Sequence, residues 1–165
     1  MSNQVKAKPK QVKAVPTGYQ SIIPYLTMDN VAEAIEFYKK AFNATERLRV
    51  PGFNGKVGHA EIEIGGHVIM LTDEFPYLEA VSPKTLRGTT MGIHFYVQDV
   101  DAVVEQAMKA GCRTVFATED QFCGNRSCAL ADPFGHNWYI ATHYEDMSKE
   151  EMYRRAREAI KAAEG

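Results

Sequence analysis

The side chains best suited to chemistry in this chain are few, and they fall in strand-like and loop-like stretches. In GHAEIEI, His59, Glu61 and Glu63 alternate with Ala60, Ile62 and Ile64. A strand turns successive side chains to opposite faces, so the imidazole and both carboxylates share one face. His94 lies in MGIHFYVQD, two residues after Gly92 and therefore on the same strand face as it. If these strands meet, Glu61 with His59 and His94 can hold a metal ion or act as an acid–base pair. The plain reading stands beside this one: His94 hydrogen-bonds inside a pocket, and the glutamates face solvent or pair with Arg126. Catalytic roles stay unassigned, with His94, Glu61 and His59 as candidates.

A second group lies in the polar turn Asp120-Gln121-Phe122-Cys123-Gly124-Asn125-Arg126. The planar fork of Arg126 can clamp a carboxylate or phosphate, or form a salt bridge with Glu61 or Asp120. Tyr25, Tyr96 and Tyr139 can stack on a flat ligand while offering hydroxyls, or simply fill a cup. Asp132-Pro133-Phe134-Gly135-His136 reads first as a turn, and Trp138 as core.

The elements that must position these groups follow from periodicity. SIIPYLTM, Ser21 to Met28, reads as a strand, with Asp29 or Asn30 capping a helix over VAEAIEFYKKAF. A strand over Thr45 to Val50, the Asn54-Gly55 turn, GHAEIEI, the Gly65-Gly66 turn and HVIMLTD complete a unit of one helix and four strands. Glu74 to Thr89, with Phe75-Pro76 and Ser82-Pro83, is a connecting loop. MGIHFYVQD, a helix over DVDAVVEQAMKAG, TVFATED, SCALAD and HNWYIATH repeat the order. Ser148 to Glu151 then forms a capping box for a last helix, whose Arg154, Arg155 and Arg157 alternate with glutamates on a solvated face.

The two halves superpose at an offset of 69 residues, which lays Val31 on Val100, Ile35 on Val104, Lys40 on Lys109, Ala60 on Ala129 and His67 on His136. An internal repeat decides architecture before anything else. It gives an α+β fold of two tandem β-α-β-β-β modules forming a cupped mixed sheet with helices outside. The expected divisions are a flexible basic leader 1–18, modules 19–75 and 90–144 joined by the loop 76–89, and a C-terminal helix within 145–165. A single four-stranded sheet under one helix has a bare face, and pairing two copies buries it or turns it into a pocket. Alternation puts Tyr25, Thr27, Met70, His94, Tyr96 and Tyr139 on the pocket side, and Leu26, Ile69, Leu71, Trp138 and Ile140 under the helices.

Bulk properties narrow the partners. The 165 residues carry a net charge of −2, which gives no reason to expect nucleic acid or an anionic membrane. No apolar run nears the ~20 residues of a membrane span. The basic N-terminus lacks the apolar core of a secretory signal. Three cysteines, an odd number, fit a reducing cytoplasm and unligated thiols, with Cys123 the one in a polar loop.

The paired units IPYLTMDNVAEAIEFYKKAF and IHFYVQDVDAVVEQAMKAG resemble the vicinal-oxygen-chelate superfamily of glyoxalases, bleomycin-binding proteins, fosfomycin-resistance transferases and extradiol dioxygenases. VGHAEIEIGGHVIMLTDEFP, EDQFCGNRSCALADPFGHNW and THYEDMSKEEM resemble its PhnB-like subgroup. The resemblance covers Val15 to Met152. It implies a cupped sheet, a homodimer and, in the enzymes, a divalent metal held by His or Glu from the first and last strand of each module. Those positions fall on Ile23, Met70, Gly92 and Tyr139. None is a His or carboxylate, and a thioether or neutral phenol suits a hard cation poorly. The expectation is thus a small-molecule-binding protein without cofactor, its pocket lined by Tyr25, Thr27, His59, Glu61, Met70, His94, Tyr96, Arg126 and Tyr139. The alternative is a small-metabolite lyase, isomerase or transferase using His, Glu and Arg, with a non-standard divalent site kept in reserve.

Overall fold

The computed structural model describes residues 12–164, so most of the expected leader lies outside the described residues. Helix α1 (Val31–Phe42) forms because Val31, Ala34, Ile35, Tyr38, Ala41 and Phe42 recur at helical spacing and are all buried. The Asn30 side chain caps it by accepting from the Glu33 N–H at 3.1 Å, and Asn43 ends it in the left-handed conformation at φ 54°. Around it run β1 (Tyr25–Met28), β2 (Thr45–Pro51), β3 (Val57–Ile64) and β4 (His67–Asp73) in the order β1-β4-β3-β2. The segment between the halves contains a 3-10 turn (Pro76–Leu78) and a short helix α2 (Pro83–Leu86). The second half has β5 (Gly92–Tyr96), α3 (Val100–Ala110), β6 (Arg113–Asp120), β7 (Asn125–Ala131) and β8 (Asn137–His143), ordered β5-β8-β7-β6. In both sheets the first and last strands pair in parallel and the others antiparallel. This is the expected pair of β-α-β-β-β modules.

The repeat reaches the level of single hydrogen bonds. Asp73 and Thr142 are equivalent at the 69-residue offset, and each tethers the first N–H of its module's helix. The Asp73 carboxylate accepts from Val31 N–H at 2.7 Å and the Thr142 hydroxyl from Val100 N–H at 2.9 Å. Tyr25 opposite Met70 likewise matches His94 opposite Tyr139.

One part of the gapless superposition is corrected. Ala60 faces Leu71, whereas Ala129 faces Tyr139 rather than Ile140. β3 therefore matches β7 at an offset one residue shorter, placing Ala60 on Cys128 and Glu61 on Ala129. The cause is the connection: Ile64 pairs with His67 across Gly65-Gly66, while Ala131 pairs with Asn137 across the longer Asp132–His136 turn. Burial follows the corrected register, since Ala60 and Ile62 lie under a helix as Cys128 and Leu130 do.

The first strand is also shorter than its apolar pattern suggests. It begins at Tyr25, and Ile22 is 87% exposed. Pro24 has no N–H to donate, although its carbonyl still accepts from Met70 N–H at 2.9 Å. Beyond it the Gln20 carboxamide replaces the strand backbone, donating to Val68 C=O at 2.6 Å and accepting from Val68 N–H at 3.2 Å.

The core lies where α1 meets both modules. Phe37, Tyr38 and Phe42 pack on Phe134, Trp138 and Phe95 of the second half, with ring centroids 4.6–6.2 Å apart. Asp132 closes this joint. One carboxylate oxygen accepts from Tyr38 O–H at 2.6 Å and Trp138 Nε1–H at 2.9 Å. The other accepts from the backbone N–H groups of Phe134 and His136, both at 2.9 Å. Burial, with the charge of Asp132 next to it, holds the Tyr38 phenol well above its ordinary range. His136 donates Nε2–H to Thr27 C=O at 3.2 Å, and desolvation holds its imidazole below the usual histidine range.

Helix α4 (Lys149–Glu164) stands apart: none of its described residues is buried. Ser148 accepts from the Glu151 N–H at 3.2 Å, but the Glu151 carboxylate turns to Arg154 and Arg155 at 2.7 Å. The expected capping box is thus half formed, because two guanidinium groups outcompete one N–H for the carboxylate. No described helix is long and apolar enough to cross a membrane.

Candidate functional site

Strand pairing draws one row of side chains across each open sheet face. In the first module the row is Leu48, Glu61, Met70, Tyr25. In the second it is Phe116, Ala129, Tyr139, His94. The corrected register makes these rows equivalent, residue for residue. Tyr25, Tyr96 and Tyr139 stand 52%, 61% and 39% exposed, and Phe116 65%. The face opposite the helices is therefore aromatic and open, as alternation predicted, while Leu26, Leu71, Trp138 and Ile140 fill the core.

The expected pocket residues are distributed among separate hollows. Tyr25, Thr27 and Thr72 line one of about 510 Å³ with Phe53, Phe75 and Tyr77. Tyr139 lines one of about 330 Å³ with Phe116, Ser127 and Ala129. His94 and Tyr96 border a groove of about 690 Å³ at the joint, with Ile22, Pro24 and Ile93. His94 packs edge-on against Tyr96 with centroids 4.9 Å apart.

His59 and Glu61 do come together, but with Tyr25 and Tyr19 rather than His94. His59 Nε2 lies 3.4 Å from Glu61 Oε1, and its Nδ1 lies 3.0 Å from the Tyr25 hydroxyl. The Tyr19 hydroxyl donates to both Glu61 oxygens, at 3.0 and 2.8 Å. Its ring lies beneath the Arg47 guanidinium at 4.7 Å, and Arg47 also donates to Gly18 C=O at 3.0 Å. Glu61 is only 4% exposed, and among the described residues no lysine or arginine forms an ion pair with it. Its hydrogen bond holds the Tyr19 phenol above its ordinary range. Tyr19 escaped the sequence reading because it stands between the leader and the first strand, with no periodic pattern to flag it.

Arg126 belongs to the other face. Its guanidinium forks onto Asp101 of α3 at 2.8 and 2.9 Å and reaches Asp120 at 3.1 Å. The expected partner Asp120 is present and Glu61 is not, because the one-residue register shift turns Arg126 toward the helix. The Arg126 guanidinium holds the Asp101 carboxyl below its usual range, and the Asp101 and Asp120 carboxylates hold Arg126 above its own. All three cysteines are free. Burial pushes the Cys112 thiol up to about 12 and raises that of Cys128, which makes both poor nucleophiles.

The four positions where the resemblance places metal ligands do not fit a hard divalent cation. Ile23 precedes β1, and Met70 offers a thioether. A Cβ on Gly92 would lie 2.3 Å from Cε2 and 2.7 Å from Cδ2 of Tyr139. The Tyr139 ring thus occupies the space into which a first-strand ligand would project. Among the described residues, no three His, Cys, Asp or Glu side chains gather as a ligand set.

This architecture matches known proteins. An uncharacterized protein of Mycobacterium tuberculosis is 42% identical over 135 residues, covering 80% of this chain and 79% of its own. Among solved structures, a PhnB protein from Bacillus cereus aligns at a TM-score of 0.57 and 17% identity, covering 74% of this chain and 99% of its own. The fosfomycin resistance protein FosX from Listeria monocytogenes, solved with Mn(II) and 1S,2S-dihydroxypropylphosphonic acid, aligns at 0.59 and 19%, covering 81% and 94%. At such identities the two structures share the fold alone. The family model of the Glyoxalase/Bleomycin resistance protein/Dioxygenase superfamily matches residues 21–140, and the chain belongs to that superfamily.

Proposed function

We propose that this protein binds a small, flat organic molecule against the aromatic sheet faces and does so without a metal ion. The observation that carries this reading is the Tyr139 ring lying over Gly92, which puts a stacking surface where a ligand to metal would stand. Tyr25, Tyr96 and Tyr139 add apolar area with a polar edge, the combination that suits a planar ligand with hydroxyl or carbonyl groups. A library of aromatic metabolites and drug-like compounds, screened by thermal shift, is expected to yield hits that survive EDTA. Tyr139→Ala should weaken them about tenfold, the upper end of the roughly 0.5–1.5 kcal/mol of one aromatic contact. Hits abolished by EDTA and restored by a divalent ion would contradict the reading.

A second copy of the chain is proposed to close the cup. The open rows lie over separate hollows in one chain, and Leu48, Val50, Val115 and Phe116 are exposed along them. Exposed apolar rows of this kind mark surfaces that a partner covers. Sedimentation velocity at micromolar concentration should give a dimer, and Phe116→Asp should shift it toward monomer. The proposed setting is the cytoplasm, with neither nucleic acid nor membrane as partner.

A further inference from the structure

The open face of the first module holds a polar chain whose hydrogen-bond directions can be assigned from one end. An ionised Glu61 carboxylate can only accept hydrogen bonds. It receives the Tyr19 hydroxyl at 3.0 and 2.8 Å, and it faces His59 Nε2 at 3.4 Å. The His59 proton therefore sits on Nε2, which leaves Nδ1 as an acceptor in the neutral ring. Tyr25, 3.0 Å from Nδ1, must donate its hydroxyl proton there. The ring of His59 also packs edge-on against Tyr25, centroids 5.5 Å apart, which fixes their relative placement. With its proton committed to His59, the half-exposed Tyr25 oxygen turns lone pairs toward the hollow shared with Thr27, Phe53 and Tyr77.

We propose that Tyr25, His59 and Glu61 form a proton-accepting triad for a ligand hydroxyl, amide or activated C–H group. The location rests on the binding face proposed above. In the step, the ligand X–H bond breaks and its proton bonds to the Tyr25 oxygen. The original Tyr25 O–H breaks and its proton bonds to His59 Nδ1. The ligand keeps the electron pair, and Glu61, buried and without a lysine or arginine partner among the described residues, faces the imidazolium that forms. Tyr25 is the catalytic residue, with His59 and Glu61 as positioning residues. Tyr19 holds the Glu61 carboxylate from its far side. The 3.4 Å contact is long, as such bonds are before a ligand tightens them.

The test uses the full chain with no ligand and the electrophile N-acetylimidazole. The Tyr25 oxygen bonds to the acetyl carbon, the C–N bond breaks and the phenol proton passes to His59 Nδ1; the departing imidazolide takes a proton from water to give imidazole, and the hydroxide so formed takes the extra proton back from His59. Acetylation is read at each tyrosine by peptide mass spectrometry. Tyr25 should react at least about a hundredfold faster in the wild type than in His59→Gln, the lower end of the usual range for a positioned base. Its rate should follow the ionisation of His59 with pH, measured by NMR. Tyr77 and Tyr144, which are well exposed, should react alike in both proteins. Glu61→Gln should slow Tyr25 and move the His59 proton from Nε2 to Nδ1 in ¹⁵N spectra. Equal Tyr25 rates in wild type and His59→Gln, or a wild-type proton on Nδ1, would overturn the triad. Neither readout involves a bound ligand, so the triad can fail while the binding face stands, and the reverse.

Discussion

Replacing Asp132 with alanine is expected to lower stability by about 4 kcal/mol, the penalty for stranding several buried donors at once. Four groups lose their acceptor: Tyr38 O–H, Trp138 Nε1–H and the N–H groups of Phe134 and His136. Trp138 and Tyr38 are fully buried, so water cannot replace the carboxylate without opening the joint between modules. For a domain of this size the loss corresponds to a fall in Tm of about 10 °C. Asp132→Asn should fall between the wild type and Asp132→Ala, since one oxygen keeps its pair of donors while the new amide N–H₂ meets Tyr38 and Trp138. Tyr38→Phe removes a single donor and should cost about 1 kcal/mol. Urea denaturation of the four proteins checks the series. If Asp132→Ala cost no more than Tyr38→Phe, the hub would carry no weight.

The second large effect is expected at Asp73. Its carboxylate accepts from Val31 N–H at 2.7 Å and Val57 N–H at 2.6 Å, so it ties the start of α1 to the start of β3. It also places negative charge at a helix N-terminus. Asp73→Ala should cost about 3 kcal/mol, summing two charge-assisted bonds to backbone donors. The equivalent Thr142 accepts from Val100 N–H at 2.9 Å and donates to Val97 C=O at 3.0 Å, with no charge. Thr142→Val should therefore cost only about 1–2 kcal/mol. Equal losses would mean that the charge and the second tether contribute nothing.

Much of this fold was legible because two independent signals agreed. Helical spacing in VAEAIEFYKKAF and alternation in GHAEIEI gave the elements, and the offset between halves gave their pairing. Alternation also put Tyr25, Tyr96 and Tyr139 on the open face. What escaped was long-range or depended on one inserted residue. The Asp132–His136 connection slides β7 by one position, and a one-residue slip moves every side chain to the other face. Arg126 thereby leaves the open face for Asp101. Tyr19 and Gln20 were invisible because their partners, Glu61 and Val68, lie more than forty residues away. Asp132 read only as a turn residue, since local sequence cannot show that a helix from the other module will deliver Tyr38 to it.

Gly92 and Tyr139 are proposed to trade a metal site for a stacking surface. The most direct test of this trade is metal analysis by inductively coupled plasma mass spectrometry on protein purified without added metal and without an affinity tag. Well below one equivalent of zinc, nickel, manganese or iron per chain is expected, with ligand binding unchanged after EDTA. One equivalent of a divalent metal per chain, lost together with binding on chelation, would contradict the proposal.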